Sequence, residues 1–138
     1  MAERYLLDTN ILSDLIKRPT GRIAQKIAAI TVEERENLAT SIVVAAELRY
    51  GAAKSGSAIL AERVEQLLEA IEILALEQQA DRHYGEIRSQ LEKAGNVIGG
   101  NDLLIAAHAL AVDAVLVTDN VREFKRVKGL RVENWLRV

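Results

Sequence analysis

Four carboxylates in this chain stand where an acid is costly unless it serves some chemistry, namely Asp8, Glu47, Asp102 and Asp119. Two of them close short apolar runs. Arg4-Tyr5-Leu6-Leu7 leads straight into Asp8, and Ala114-Val115-Leu116-Val117-Thr118 leads into Asp119, each run having the length and polar boundaries of a strand buried in a parallel sheet. The other two sit in the openings of helices. Ser41 can cap Ile42 to Gly51, whose first turns are apolar except for Glu47, and Asn101 can cap an Ala/Leu-rich helix that holds Asp102 in its first turn and ends near Asp113. In open α/β sheets the C-terminal ends of strands and the starts of the helices that follow share one edge, and ligands bind there. The four acids therefore belong to one edge, and Asp113, where helix hands over to strand, belongs to the other.

Two ionised carboxylates about 4 Å apart repel by roughly 1 kcal/mol in water and roughly 4 kcal/mol at an effective dielectric near 20, so four together call for a cation. An all-oxygen donor set, in a chain with no cysteine and two histidines, selects a hard ion, Mg2+ with Mn2+ as a possible substitute, of the kind that holds phosphates and activates water. Thr9, Asn10, Asn101 and Thr118 are placed to orient a carboxylate or a water. Taken singly the acids have plainer readings: Asp8 or Thr9 as a helix N-cap, and Glu47 as a helix acid paired with Arg49 or Arg63. His83 and His108 read as packed helix residues.

The elements that must position these residues follow from periodicity. After Asp8, the residues Ile11, Leu12, Leu15 and Ile16 have helical spacing as far as Pro19, and Gly21 to Ile30 forms a second amphipathic helix. Thr31 to Asn37 reads as a charged surface passage into a short strand, Leu38-Ala39-Thr40. Ser55-Gly56-Ser57 separates the Glu47 helix from a further helix, Ala58 to Ala70, and the pair forms a hairpin whose aliphatic stripe of Ile59, Leu60, Val64, Leu67 and Leu68 serves either as core or as a homodimer seam. Ile71 to Leu76 reads as a third strand and Gln78 to Lys93 as a helix. Beyond Asn120 come a short helix, with Arg122, Lys125, Arg126 and Lys128 on a solvated face or near the acids, and an edge strand from Leu130 to Trp135. Phe124 and Trp135 are its packing anchors. The order predicts an α/β/α sandwich with a mainly parallel central sheet of about five short strands.

A chain of 138 residues fits a single domain, 1–138, with a core that needs no staples. The absence of cysteine suits a reducing compartment, no apolar run approaches the ~20 residues of a membrane span, and the opening residues are no signal peptide, so the expected location is the cytoplasm. With 18 basic and 20 acidic residues the net charge is −2, so nucleic acid would be met by a local patch and not by a global field.

Four motifs, in order, carry a resemblance: Leu-Leu-Asp8-Thr-Asn; Ser41 followed by Glu47-Leu-Arg-Tyr-Gly51; Ile98-Gly-Gly-Asn-Asp102-Leu-Leu-Ile-Ala-Ala-His-Ala; and Val117-Thr-Asp119-Asn-Val-Arg-Glu-Phe-Lys-Arg-Val. The chain resembles the PIN-domain toxins of the VapC type from Tyr5 to Trp135. The resemblance implies a Mg2+-dependent endoribonuclease, the toxin half of a toxin-antitoxin pair, dimeric and inhibited by a VapB-type antitoxin, through which alone it would meet DNA. It implies Asp8, Glu47, Asp102 and Asp119 as the acidic site. One or two Mg2+ would rest on Asp8 and Asp102, with Glu47 and Asp119 binding a second ion or holding the attacking water. Relatives often carry Asn-Asn after the threonine where this chain has Asp119-Asn120, so this variable position is acidic here. The C-terminal motif is compatible with a tRNA anticodon stem-loop as substrate.

Two other classes compete. A haloacid-dehalogenase-like phosphatase would need an acid two residues after Asp8, where Asn10 stands, and there is no Walker loop. A non-catalytic partner module of a DNA-binding repressor complex would have no use for an intact acidic quartet.

Overall fold

The computed structural model describes residues 3–137. Five strands are separated by eight helices: β1 (Arg4–Leu7), α1 (Thr9–Lys17), α2 (Arg22–Ala29), α3 (Val32–Glu36), β2 (Leu38–Ser41), α4 (Ile42–Ser55), α5 (Ala58–Ala70), β3 (Glu72–Leu74), α6 (Ala80–Ala94), α7 (Gly100–Ala111), β4 (Ala114–Val117), α8 (Val121–Phe124) and β5 (Val132–Glu133). They form one sheet in the order β3-β2-β1-β4-β5, every pair parallel. The predicted class and strand number hold, and the sheet is wholly rather than mainly parallel.

β2 and β4 are buried along their whole length, so helices cover both faces of the sheet. The strand order reverses between β1 and β4, which makes their C-terminal ends the crevice of the sheet. Register sets what meets there: Leu7 pairs with Val117 and with Thr40, so Asp8 lies beside Thr118 on one side and Ser41 on the other. The core around these strands is aliphatic, with Leu6, Leu7, Ile11, Leu12, Ile105, Leu116 and Val117 essentially inaccessible. Phe124 and Trp135 pack into it as anticipated.

Several local expectations change. Thr31 to Asn37 is not merely a charged passage: Thr31 and Glu34 make a reciprocal capping box that starts α3, a signal present in the sequence as Thr-x-x-Glu. The N-cap of α7 is Gly99 and not Asn101, which leaves the Asn101 side chain free to reach across to α4. α6 begins at Ala80, two residues later than its periodicity suggests. On α5 the aliphatic stripe goes mostly into the core: Val64 and Leu68 are buried, Leu60 and Leu67 pack against the core, and Ile59 is exposed. Arg49 pairs with Glu65 across the α4–α5 hairpin, and so is not a partner for Glu47.

Candidate acidic site at the carboxyl edge of the sheet

Asp8 ends β1 and caps α1, its Oδ1 accepting from the Thr9 backbone N–H at 2.8 Å. Its Oδ2 accepts from the Thr118 hydroxyl at 2.7 Å and from the Asn10 amide at 3.4 Å. Thr118 also accepts from the Asn120 N–H at 2.9 Å and from Asn10 at 3.3 Å, which uses the whole capacity of a hydroxyl and fixes its proton on Asp8. The N-cap reading of Asp8 is thus correct, and it coexists with a second oxygen turned to the crevice. Burial raises the Asp8 pKa, aided by the charge of Glu47, and the three hydrogen bonds only partly offset it.

Glu47 has the Thr9 hydroxyl at 2.5 Å and the Asn101 amide at 3.4 Å. Asp102 has the Asn120 amide at 3.4 Å, and Asn120 also holds Glu123 at 3.1 Å. Among the described residues no basic side chain pairs with any of these acids. Burial first, and then the negative charges of Asp8, Glu123 and Glu47, push the Asp102 pKa up to about 6. Asp8, Glu47 and Asp102 therefore share one electrostatic neighbourhood, and Glu123 joins them as an acid that sequence reasoning missed. Its signal was its place in the first turn of α8, facing the same edge.

Asp119 comes to the same edge, but its carboxylate turns away from the other three. Arg137 donates to both of its oxygens, Nε to Oδ1 at 2.7 Å and Nη2 to Oδ2 at 3.3 Å, and Asn134 adds a bond of 3.0 Å. These donors hold its pKa below the usual carboxylate range. The basic residues Arg122, Lys125, Arg126 and Lys128 lie outside this contact, and it is Arg137 instead that meets the acid at this edge.

The four polar residues expected to orient the acids all do so: Thr9 and Asn101 on Glu47, Thr118 on Asp8, and Asn10 on Asp8 and on the Asp119 backbone N–H at 2.9 Å. His108 is buried, with Nδ1 2.7 Å from the Ser41 hydroxyl that caps α4, so it ties the helix bearing Asp102 to the helix bearing Glu47. Burial lowers its pKa and keeps it neutral.

Among the described residues no three His, Asp or Glu side chains already close around a point that would hold a metal ion. Asp8, Glu47 and Asp102 are each held instead by neutral donors, several of them reaching across from another element, as Thr9 and Asn101 do to Glu47. The donor set of Asp8, Glu47 and Asp102 nevertheless fits a hard divalent ion, being all carboxylate oxygen and carrying negative charge that no basic side chain among the described residues neutralises.

A parallel doubly wound sheet with acids gathered at its carboxyl edge defines the class. The PIN domain model matches residues 5–130, and the chain belongs to the PIN-domain family. Within it the chain belongs with the VapC proteins. It is 39% identical over 132 residues to a Rickettsia felis protein named Ribonuclease VapC2, covering 95% of this chain and 97% of the relative. It is 35% identical over 136 residues, 96% of this chain and 98% of the other, to a Salmonella typhimurium protein named tRNA(fMet)-specific endonuclease VapC. The crystal structure of VapBC2 from Rickettsia felis bound to a DNA fragment from their promoter contains a chain that superposes with a TM-score of 0.83 at 38% identity, covering 95% of this chain and 98% of that one.

Proposed function

We propose that this chain is a divalent-metal-dependent endoribonuclease, the toxin of a VapBC-type pair, held inactive by a VapB-type antitoxin. The observation that carries the reading is the uncompensated group of Asp8, Glu47 and Asp102, with Asp102 pushed up to about 6 by burial and by its neighbours. A group that unfavourable when empty is one that binding of a cation stabilises. Asp8, Asp102 and Glu47 would hold Mg2+, which when bound neutralises charge on a phosphate and lowers the pKa of water. Thr118 and Thr9 keep the acids aimed, Asn101 steadies Glu47, and Asn120 steadies Asp102. The named activities of the relatives support RNA as substrate, and the Salmonella relative's name supports tRNA. In this reading DNA would be met only through the antitoxin; the Rickettsia felis VapBC2 pair whose chain superposes on this one was solved bound to a promoter DNA fragment. The described helices include none long and apolar enough to cross a membrane.

The direct test is cleavage of total tRNA. With Mg2+ or Mn2+ the chain should cut, and excess EDTA should stop it by at least about a hundredfold, with activity restored on adding metal back. Cutting that persists undiminished in EDTA would refute the reading.

The same proposal includes a homodimer. The seam we assign to it is on α4, where Ile42, Ala46 and Tyr50, each four residues from the next, lie on the outward side, with Ile42 45% and Tyr50 66% exposed. Tyr50→Arg places a charge in that seam without touching the core. It should turn a dimer into a monomer by light scattering while leaving the circular-dichroism spectrum intact, whereas a variant that stays dimeric would place the seam elsewhere.

A further inference from the structure

Asp119 was expected to share the metal with the other three acids, yet both its oxygens are taken by Arg137. The arrangement is built from several bonds. Asn134 accepts the backbone N–H groups of Leu136 at 2.8 Å and Arg137 at 3.2 Å, which folds the end of the chain back, while its amide donates to Asp119 at 3.0 Å. Asn10 anchors the other side by accepting the Asp119 N–H at 2.9 Å while touching Asp8. A continuous run of contacts thus leads from Asp8 through Asn10 and Asp119 to Arg137.

Beyond that run lies an open cleft of about 440 Å³ lined by Asn10, Ser13, Asp14, Lys17, Arg18 and Arg137, together with Asp119 and Leu136. Its charges are informative. Arg18 is paired with Asp14 at 2.7 Å and Arg137 with Asp119, while Lys17 makes no ion pair among the described residues. The Arg137 side chain is 74% exposed even in its ion pair. A guanidinium carries five N–H donors in a rigid fork, and Asp119 takes two of them, so three remain for a ligand. A planar donor fork held by a carboxylate, beside an unpaired lysine and next to an acidic reaction centre, has the chemistry of a phosphate clamp.

We propose that Asp119 is the mount for Arg137 and not a metal ligand, and that Arg137, with Lys17, binds a phosphate of the RNA strand adjacent to the one being cut. The inference rests on the nuclease reading above. It makes Asp119 a positioning residue and gives the substrate strand a direction, out from Asp8 past Asn10 and toward the end of α1. The ion pair itself adds little to the fold, being largely exposed, so the variants that break it should melt within a few degrees of the parent.

The test uses the full chain and two probes, a short fluorescein-labelled RNA oligonucleotide titrated in EDTA over a range of KCl concentrations, and Mn2+ alone followed by melting temperature. Arg137→Gln should weaken RNA binding about three- to tenfold and flatten the slope of log K against log salt by about 0.7, one single-strand phosphate contact. Arg137→Lys should keep the slope. In cleavage assays Arg137→Gln should raise KM more than it lowers kcat, and adding Asp119→Asn to it should cost nothing further, since a mount without its guanidinium has nothing left to hold. Mn2+ should raise the melting temperature of Asp119→Asn as it raises the parent's. Loss of the Mn2+ response in Asp119→Asn would make that acid a ligand and overturn the proposal. So would RNA affinity and salt slope unchanged in Arg137→Gln, which would leave the pair merely structural. A parent that neither cuts RNA nor responds to Mn2+ would end the nuclease reading, and the salt slope would still decide Arg137 on its own.

Discussion

Asp102→Asn should abolish RNA cleavage, by about 10³-fold or more, and yet melt at a higher temperature than the parent when both are free of metal. The two effects have one cause. Asp102 is crowded by Asp8, Glu123 and Glu47 with no basic side chain among the described residues paired to offset them, and burial together with these charges pushes its pKa up to about 6 against an ordinary 3.8. A folded-state pKa above the unfolded one means that the folded state binds a proton the unfolded state releases, so the stability contributed by Asp102 is full below about pH 4 and is lost as the pH rises through about 6. At neutral pH the ionised group is therefore destabilising. A shift of about two units would correspond to roughly 3 kcal/mol, and solvent screening of a partly exposed group reduces this to about 1–2 kcal/mol. Asparagine keeps the shape and removes the charge, so the metal-free variant should gain about 3–8 °C at pH 7 and show a flatter pH dependence between pH 4 and 7. Melting curves in EDTA across that range are the measurement. A variant markedly less stable than the parent would mean that Asp102 serves the fold of α7 and not a cation.

The cleavage products should carry a 5′-phosphate and a 3′-hydroxyl, because water delivered in line expels the 3′ oxygen and leaves the ribose 2′-hydroxyl unused. The metal-free alternative, general acid–base catalysis by two histidines, leaves a 2′,3′-cyclic phosphate. This chain has only His83 and His108 for that route. His108 is buried, hydrogen-bonded to Ser41 and kept neutral, and so has no access to a substrate proton. End-mapping of the cut RNA therefore separates the mechanisms cleanly. His83→Ala should leave the rate within about twofold, whereas Asp8→Asn should lower it by about 10³-fold, since Asp8 is the acid on which Thr9, Thr118 and Asn10 converge. A cyclic phosphate at the cut, or full activity in Asp8→Asn, would contradict the proposed chemistry.

What was legible in the sequence was whatever depends on near neighbours. Strand runs such as Arg4 to Leu7 and Ala114 to Val117 show as short apolar segments with polar ends, and helix openings show through caps such as Ser41, so the placement of all four acids at one edge followed from local pattern and sheet topology. The orienting residues Thr9, Asn10 and Thr118 were legible for the same reason, because they adjoin the acids in the chain. Thr31 to Asn37 was legible too, as a capping box, but charge density masked it.

The tertiary structure decided which way each side chain faces and what it meets at long range. Parallel register pairs Leu7 with Val117, which sets Thr118 beside Asp8 and leaves Asp119 one residue further past the strand end, where its carboxylate turns to Arg137 instead of to the acids. Thr9 reaches Glu47 across 38 positions of sequence, and Asn120 reaches Asp102 across 18, through contacts that no periodicity encodes. The hairpin stripe on α5 could be core or seam until packing buried Val64 and Leu68 and left the outward face of α4 bare. Local energetics choose elements, because helix caps and strand patterns act within a few residues. The partners of a charge are chosen only when the sheet closes, because register and side-chain direction then set which donors lie within about 3 Å.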